Sequence, residues 1–330
     1  MSVASTIFLF LLVGSQFTYV YHFYMTNGFT VFNGKIIWNL TWEGDIFNAT
    51  GTVDYTLING SQVKNYTYNV SESESQYLHD WYTLTTIFFP YFVVNTYSLG
   101  YYNGSIPSIT LRMNKDSYIV ISAQYGFPLG GQWIGNRGGF NTTYNFTLAK
   151  SPLTLSEYNY NVYKVNASKD VEFTVLTPNL VEVTKASYTV QALNSTVTFP
   201  GMSVVGRGFL TFVFPSYEVS EFGGLAALFY NGSKYFVGLS ENTVDYMNST
   251  NPFFITILGH YVFMFFPYGG NVTVIFYNPK MNVSVSVSQV SGGSPSNIII
   301  SHTNYVILGV IAAAVLGLGT VLVLRARRPS

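Results

Sequence analysis

The chain has 330 residues with fifteen basic and fifteen acidic side chains; hydrophobic residues make up 48%, aromatics 18% and charged residues only 9%, against roughly 25% charge in ordinary soluble domains. Arg325, Arg327 and Arg328 lie in the last six positions, so the remainder has no basic patch to hold a phosphate backbone, which argues against nucleic acid as a partner. The length suffices for one large or two ordinary domains with proper cores.

The first element is TIFLFLLVGS, Thr6 to Ser15, a short apolar run followed by small residues. It reads as a signal peptide over 1–15, although no Lys or Arg precedes it; the other reading is an uncleaved anchor continuing through QFTYVYHFYM. Hairpin signals follow. Asn-Gly, the strongest two-residue turn signal because both positions tolerate positive φ, occurs at Asn27, Asn33, Asn59, Asn103 and Asn231. The flanks alternate with period two: Ile36, Trp38, Leu40 and Trp42 share one face, as do Val53, Tyr55 and Leu57. In SESESQYLHDWYTLTTIFF, Ser71 and Glu74 form a capping box before one short helix.

Further strands are expected in PSITLRM, SYIVISAQY and TTYNFTL, with PLGGQWIGNRGG (128–139) as a glycine-rich loop that lacks the spacing of a phosphate cradle. More follow in DVEFTVL, LVEVTKASYTVQAL, STVTF, GFLTFVF, YVFMFF and NVTVIFY. Many short strands with close turn signals predict an all-β ectodomain, a β-sandwich or barrel-like body in two domains, 25–155 and 156–283, divided near the tyrosine-rich LSEYNYNVYKVN. Residues 284–303 read as a Ser/Gly stalk.

The chain closes with YVILGVIAAAVLGLGTVLVL, an uncharged run ending at Leu324. At 1.5 Å per residue it spans roughly 30 Å of hydrocarbon. It predicts a transmembrane α-helix over 304–324 in membrane lipid, and the basic tail 325–330 holds the C-terminus in the cytoplasm with the ectodomain outside. Gly309, Ala313 and Gly317 fall on one helix face, the pattern of a small-residue pairing seam.

Export makes the asparagines legible. Fourteen Asn-x-Ser/Thr sequons occur, at Asn39, Asn48, Asn59, Asn65, Asn69, Asn103, Asn141, Asn145, Asn166, Asn194, Asn231, Asn248, Asn271 and Asn282, and N-linked glycans are expected on several. The competing reading is that a β-rich Asn/Thr/Ser composition inflates the count through turns and exposed strand faces. Cysteine is absent, so the coat is not that of a disulfide-stapled animal receptor. Sparse charge suits a surface facing acid, because few carboxylates leave little stability to lose on protonation. In these respects the composition resembles the surface glycoproteins of thermoacidophilic archaea.

The catalytic inventory is thin. His22, His79, His260 and His302 lack metal-ligand spacing, and no cofactor or metal site is expected. No Ser sits in a Gly-x-Ser-x-Gly elbow. What remains is carboxylate chemistry, in which two close carboxyls share a proton and activate water at low pH. Glu72, Glu74 and Asp80 form one group, and Glu218, Glu221, Glu241 and Asp245 another. At the second, EFGGLAALFYNGSKYFVGLSENTVDY (Glu221 to Tyr246) resembles the Gly-Gly, Leu-rich strand, Tyr-Asn-Gly pattern of thermopsins, the acid endopeptidases of thermoacidophilic archaea; IIWNLTW and IFFPYFVV are similar to other thermopsin segments. The resemblance covers scattered residues and departs after the hairpin, where the family's glycine and acidic run is replaced by GLSENTVD. It implies Glu221, Glu241 and Asp245 as catalytic acids. Two readings stand: an N-glycosylated surface protein whose β body serves surface-layer structure or binds other cell-surface or S-layer proteins, and a membrane-tethered acid endopeptidase of thermopsin type.

Overall fold

A computed structural model describes residues 16–42, 47–74, 94–169, 171–192, 195–215, 223–235, 238–239, 244–245, 252–292 and 298–300. Every regular element in it is a β-strand. In chain order these are β1 (Gln16–Thr26), β2 (Thr30–Trp42), β3 (Phe47–Asn59), β4 (Gln62–Glu74), β5 (Thr96–Tyr102), β6 (Ile106–Arg112), β7 (Tyr118–Ser122), β8 (Pro128–Arg137) and β9 (Phe140–Lys150). Then come β10 (Asn161–Asn166), β11 (Glu172–Thr177), β12 (Asn179–Ala192), β13 (Ser195–Arg207), β14 (Leu210–Pro215), β15 (Leu225–Tyr230) and β16 (Ser233–Tyr235). The series ends with β17 (Gly238–Leu239), β18 (Val244–Asp245), β19 (Phe254–Leu258), β20 (Tyr261–Phe266), β21 (Gly269–Phe276), β22 (Ser286–Gly292) and β23 (Ile298–Ile300).

The first sheet has ten strands in the order β23-β5-β6-β7-β8-β9-β1-β2-β3-β4; the second has six, β19-β20-β14-β11-β10-β22; the third has five, β12-β13-β21-β15-β16. Among the described residues, strands β17 and β18 pair with each other alone. The ten-stranded sheet is two meanders, β5 to β9 and β1 to β4, joined where β1 pairs antiparallel with β9, with β23 added beside β5.

The six-stranded sheet is the middle layer, and its sequence shows why. β14 (LTFVFP) and β20 (YVFMFF) are buried at every position, as a strand covered on both faces requires. Their alternate side chains feed two cores. Tyr261, Phe263, Phe265 and Val213 join Phe17, Tyr19, Leu99, Ile109, Ile121 and Phe146 of the ten-stranded sheet in the first. Val262, Met264, Phe266, Phe212 and Phe214 meet Met202, Val204, Leu228, Val272 and Val274 of the five-stranded sheet in the second. Polar contacts fasten the first core as well: Tyr97 OH donates to Thr174 Oγ1 (3.3 Å), Gln124 Nε2 to the Pro267 carbonyl (2.9 Å), and Thr211 Oγ1 to the Ala123 carbonyl.

Strands β1 to β9 lie in the ten-stranded sheet, and the change of sheet comes between Lys150 and Asn161. That connection packs inward, with Leu153, Leu155 and Tyr158 against the first core and Tyr160 buried in it.

Several local expectations are corrected. Residues 16–26 form strand β1 rather than continuing an apolar anchor, because Phe17, Tyr19 and Tyr21 alternate into the core while Thr18, Val20 and His22 face the other side. Asn33-Gly34 lies within β2, not in a turn: a Cβ on Gly34 would meet Tyr55 Cβ at 2.5 Å and the Phe23 ring at 2.8 Å. Ser71 and Glu74 belong to β4, opposite Thr50 and Phe47, so they cap no helix; the period-two run VSES extends the β3–β4 hairpin. Residues 128–137 are strand β8 rather than a loop, and the Trp133 ring lies where a Gly135 side chain would stand, 2.5 Å from its Cβ position. The 286–292 part of the expected stalk is β22, whose Ser-Val alternation pairs with β10, and 298–300 pairs with β5 as β23. The segments 1–15, 75–93 and 301–330, carrying the signal peptide, the short helix and the transmembrane helix expectations, lie outside the described residues. Among the described residues no helix is long and apolar enough to cross a membrane.

Candidate functional site: a two-faced wing of the ten-stranded sheet

Strands β2, β3 and β4 have thirteen residues each, about 44 Å at 3.4 Å per residue, and they run past the region covered by the middle sheet. Their pairing is regular, from Trp42↔Phe47 to Thr30↔Asn59 and from Phe47↔Glu74 to Asn59↔Gln62. Since successive side chains alternate, this wing presents two chemically opposite faces.

The inner face continues the core side of the sheet. Where the first core ends, it carries rings in contact across strands: Phe23 and Tyr55 (6.4 Å between centroids), Phe32 and Tyr55 (6.1 Å), Phe32 and Phe140 (5.7 Å). Tyr55 and Tyr66 stack at 4.9 Å, and Tyr68 stands edge-on to Tyr55 at 6.2 Å. Phe32, Tyr55, Tyr66, Tyr68 and Phe140 lie outside both cores. Tyr66 and Tyr68 are 38% and 49% exposed, which marks the strip as surface. Desolvation by its neighbours, then Tyr68 and Tyr66, pushes the Tyr55 phenol above its ordinary value.

The outer face is a ladder of small polar groups. Thr18 Oγ1 donates to Asn39 Oδ1 (2.9 Å), Thr52 to Asn69 (3.3 Å), Thr56 to Asn65 (2.8 Å) and Thr67 to Asp54 (2.9 Å). His22, Lys35, Asp54 and Thr67 lie in one row across four strands and help line a shallow groove of about 430 Å³.

The sequons sort by face. Asn39 on β2, Asn48 on β3, Asn65 and Asn69 on β4, and Asn141 and Asn145 on β9 all fall on the outer side, since the alternate positions Trp38, Leu40, Ala49, Val53, Tyr144 and Phe146 are buried on the other. Asn59, the last residue of β3, is the exception: it has the parity of Val53 and Tyr55 and so ends the inner face at the wing tip, where Thr30 Oγ1 donates to it (3.4 Å). Asn103 and Asn231 sit in hairpin turns with φ of 50° and 49°, each followed by a glycine at 82°, the conformation expected of Asn-Gly. Asn231 Oδ1 also accepts from the Asn271 backbone N–H (2.9 Å), and Asn271 accepts from Ser203 Oγ (2.7 Å). Asn282 is exposed and Asn166 half-buried. Asn194 and Asn248 are outside the described residues.

The expected acids are not brought together in the described structure. Glu221 and Glu241 lie outside it, and Asp245 is placed only by its backbone, opposite Gly238. Among the described residues no cluster of three His, Cys, Asp or Glu side chains forms. The ion pair found there, Lys164 to Glu172 at 2.8 Å, is part-exposed and structural. Gly309, Ala313, Gly317 and the arginines 325, 327 and 328 also lie outside the described residues. Which residues form the aromatic strip is what sequence reasoning did not place; the signal is NYTYNV, where Tyr66 and Tyr68 alternate with sequon residues.

No family model matches this chain and no curated relative was found. Two solved structures align over much of its length: a protein described as an AttH from Nitrosomonas europaea (8% identity, 80% of this chain and 93% of that one, TM-score 0.16) and MucB in complex with periplasmic MucA (11%, 87% and 100%, TM-score 0.18). Likenesses this weak define no fold family. The class of protein is set by the layered antiparallel sheets and the two-faced wing.

Proposed function

We propose that this chain is an exported, N-glycosylated cell-surface protein, held by the apolar span 304–324 with its basic tail inside, whose β body serves surface-layer structure or binding. One observation carries the reading. Six of the seven strand-borne sequons of the ten-stranded sheet share the outer face, Asn59 at the wing tip being the exception, while the opposite face of the same wing is an exposed aromatic strip. An N-x-T sequon in a strand puts Asn and Thr on one side, so a run of them makes one sheet face a sugar-bearing face and leaves the other for contact. An exposed aromatic surface rimmed by polar residues is the usual mark of an interaction site.

The test is intact-glycopeptide mass spectrometry on the protein isolated from its own membranes. The reading expects glycan on Asn65, Asn69, Asn141 and Asn145. Unmodified asparagine at all four would sink it, leaving the sequons as strand-face polar ladders.

A further inference from the structure

Strand β4 ends the ten-stranded sheet, and no described strand pairs with its outer edge. It differs from the other sheet ends in a way that matters. β23 and β16 have three residues each and β19 five. β22 and β12 carry register shifts at their pairings. Short strands and bulges are the ordinary protections of a sheet edge, as are Pro and edge charges. β4 is thirteen residues long, pairs without a shift, lacks Pro, and is uncharged between Lys64 and Glu72.

The direction of its free hydrogen-bonding groups follows from the hairpin. Asn59 and Gln62 close a two-residue turn, which makes them a hydrogen-bonded pair, so even-numbered residues of β4 point their N–H and C=O toward β3. The odd ones, Val63, Asn65, Thr67, Asn69, Ser71 and Ser73, point theirs off the edge.

We propose that this edge pairs with β4 of a second copy, antiparallel about a two-fold axis at Tyr68. In that register all thirteen residues find partners, Gln62 opposite Glu74 at each end, and the outward groups close ~12 hydrogen bonds. The register is self-complementary on both faces. Lys64 falls opposite the second copy's Glu72, twice by symmetry; Tyr66 falls opposite Val70 and Tyr68 opposite itself. On the outer side Thr67 falls opposite Asn69, repeating the Thr-Asn pairs that already join β3 to β4. Sliding the second copy by two residues changes the inner face: one direction trades Lys64–Glu72 for Lys64–Glu74 but puts Glu72 against Tyr66 and leaves Gln62 unpaired, and the other leaves Lys64 against Val70. The self-paired edge joins the two aromatic strips into one face, a self-complementary arrangement of the kind two-fold dimers use. The inference rests on strand geometry rather than on glycosylation, so its failure leaves the surface-glycoprotein reading standing.

The chain has no cysteine, which makes single-cysteine variants of the full-length protein in detergent a clean readout. Tyr68 faces its own symmetry mate in a non-hydrogen-bonded pair, where side chains are closest. Under mild oxidation Tyr68→Cys is expected to form a reducible dimer at least about ten times faster than Thr67→Cys, and Tyr66→Cys mixed with Val70→Cys to form one that neither forms alone. Thr67→Pro removes an N–H that β3 does not use and should abolish the dimer while the circular dichroism spectrum is unchanged. Equal cross-linking at positions 67 and 68 overturns the proposal. So does a particle that light scattering finds monomeric, or one that is dimeric without the Tyr68→Cys bond, which assigns the association to the apolar span.

Discussion

Gly126 stands against Phe265 so closely that a Cβ on it would lie 2.6 Å from the ring. The glycine turns the chain between β7 and β8 at a φ of +80°, and Phe265 comes from the middle sheet, so the pair fixes how the ten-stranded sheet seats on its neighbour. Gly126→Ala adds left-handed strain to overpacking, a combined cost of about 2–4 kcal/mol. Gly104→Ala, at a φ of +82° with nothing within 4 Å, meets only the first cost, about 1 kcal/mol. Chemical denaturation of the two variants should separate them by this margin, and equal losses would remove the packing argument.

The middle sheet makes a second prediction. Phe263 lies in the first core and Phe266 in the second, three residues apart on β20, and both are fully buried. Truncating either to Ala should cost about 3–5 kcal/mol. Because one strand serves both cores, each variant should shift a single cooperative transition rather than split it. Two separated transitions in calorimetry would show that the halves of the body fold independently.

Much of this architecture was legible beforehand, and the particular residues show why. Trp38 and Leu40 on one face of β2 follow from period two alone, and Asn103 and Asn231 turn as Asn-Gly should. The errors arise where composition and geometry part. Gly34 and Gly130 signal a turn or loop but serve as clearance for Tyr55 and Tyr102, a long-range packing fact that no local window contains. The Ser/Val run at 286–292 signals a linker yet alternates well enough to pair with β10. The exposed aromatic strip was hidden for a related reason: Tyr66 and Tyr68 alternate as core residues do, and only the extent of the middle sheet decides that this part of the face stays bare.

The double role of a sequon asparagine can be separated at Asn231. Its amide oxygen accepts from the Asn271 N–H and its backbone holds a φ of 49°, so Asn231→Ala should cost about 1–2 kcal/mol through strain and a lost hydrogen bond. Asn231→Asp keeps the acceptor and a residue tolerant of the turn while abolishing the glycan site, and should cost less than about 0.5 kcal/mol. Denaturation of both variants, with the mass of the 231 peptide, distinguishes turn from glycan: a large loss in the Asp variant would assign stability to the sugar.

Acid should matter little to this fold. The ion pair at Lys164 and Glu172 is 38% and 41% exposed, and such pairs contribute about 0–1 kcal/mol. Glu172→Gln should therefore leave the midpoint of denaturation nearly unchanged at pH 7 and pH 3 alike. A steep fall in wild-type stability between those values would show that carboxylates other than Glu172 stabilise the fold.

Alkali is the condition that should unfold it. Burial pushes the phenols of Tyr125 and Tyr230 up to about 12, Tyr125 with Tyr268 and Tyr158 nearby, Tyr230 against the opposing pull of Asn231. Tyr19, Tyr21 and Tyr160 are raised further by the same desolvation. A group whose folded pKa is raised favours its protonated form in the fold, so its contribution is complete below the unfolded value of about 10 and is lost as pH rises through the folded one. Stability should hold to pH 10 and fall between 10 and 12, the five tyrosines acting together. Absorbance at 295 nm should show one group of phenols ionising near the ordinary value and a second released with the loss of circular dichroism. Ionisation of all tyrosines near pH 10 with the sheet signal intact would mean that water reaches these rings in the native state.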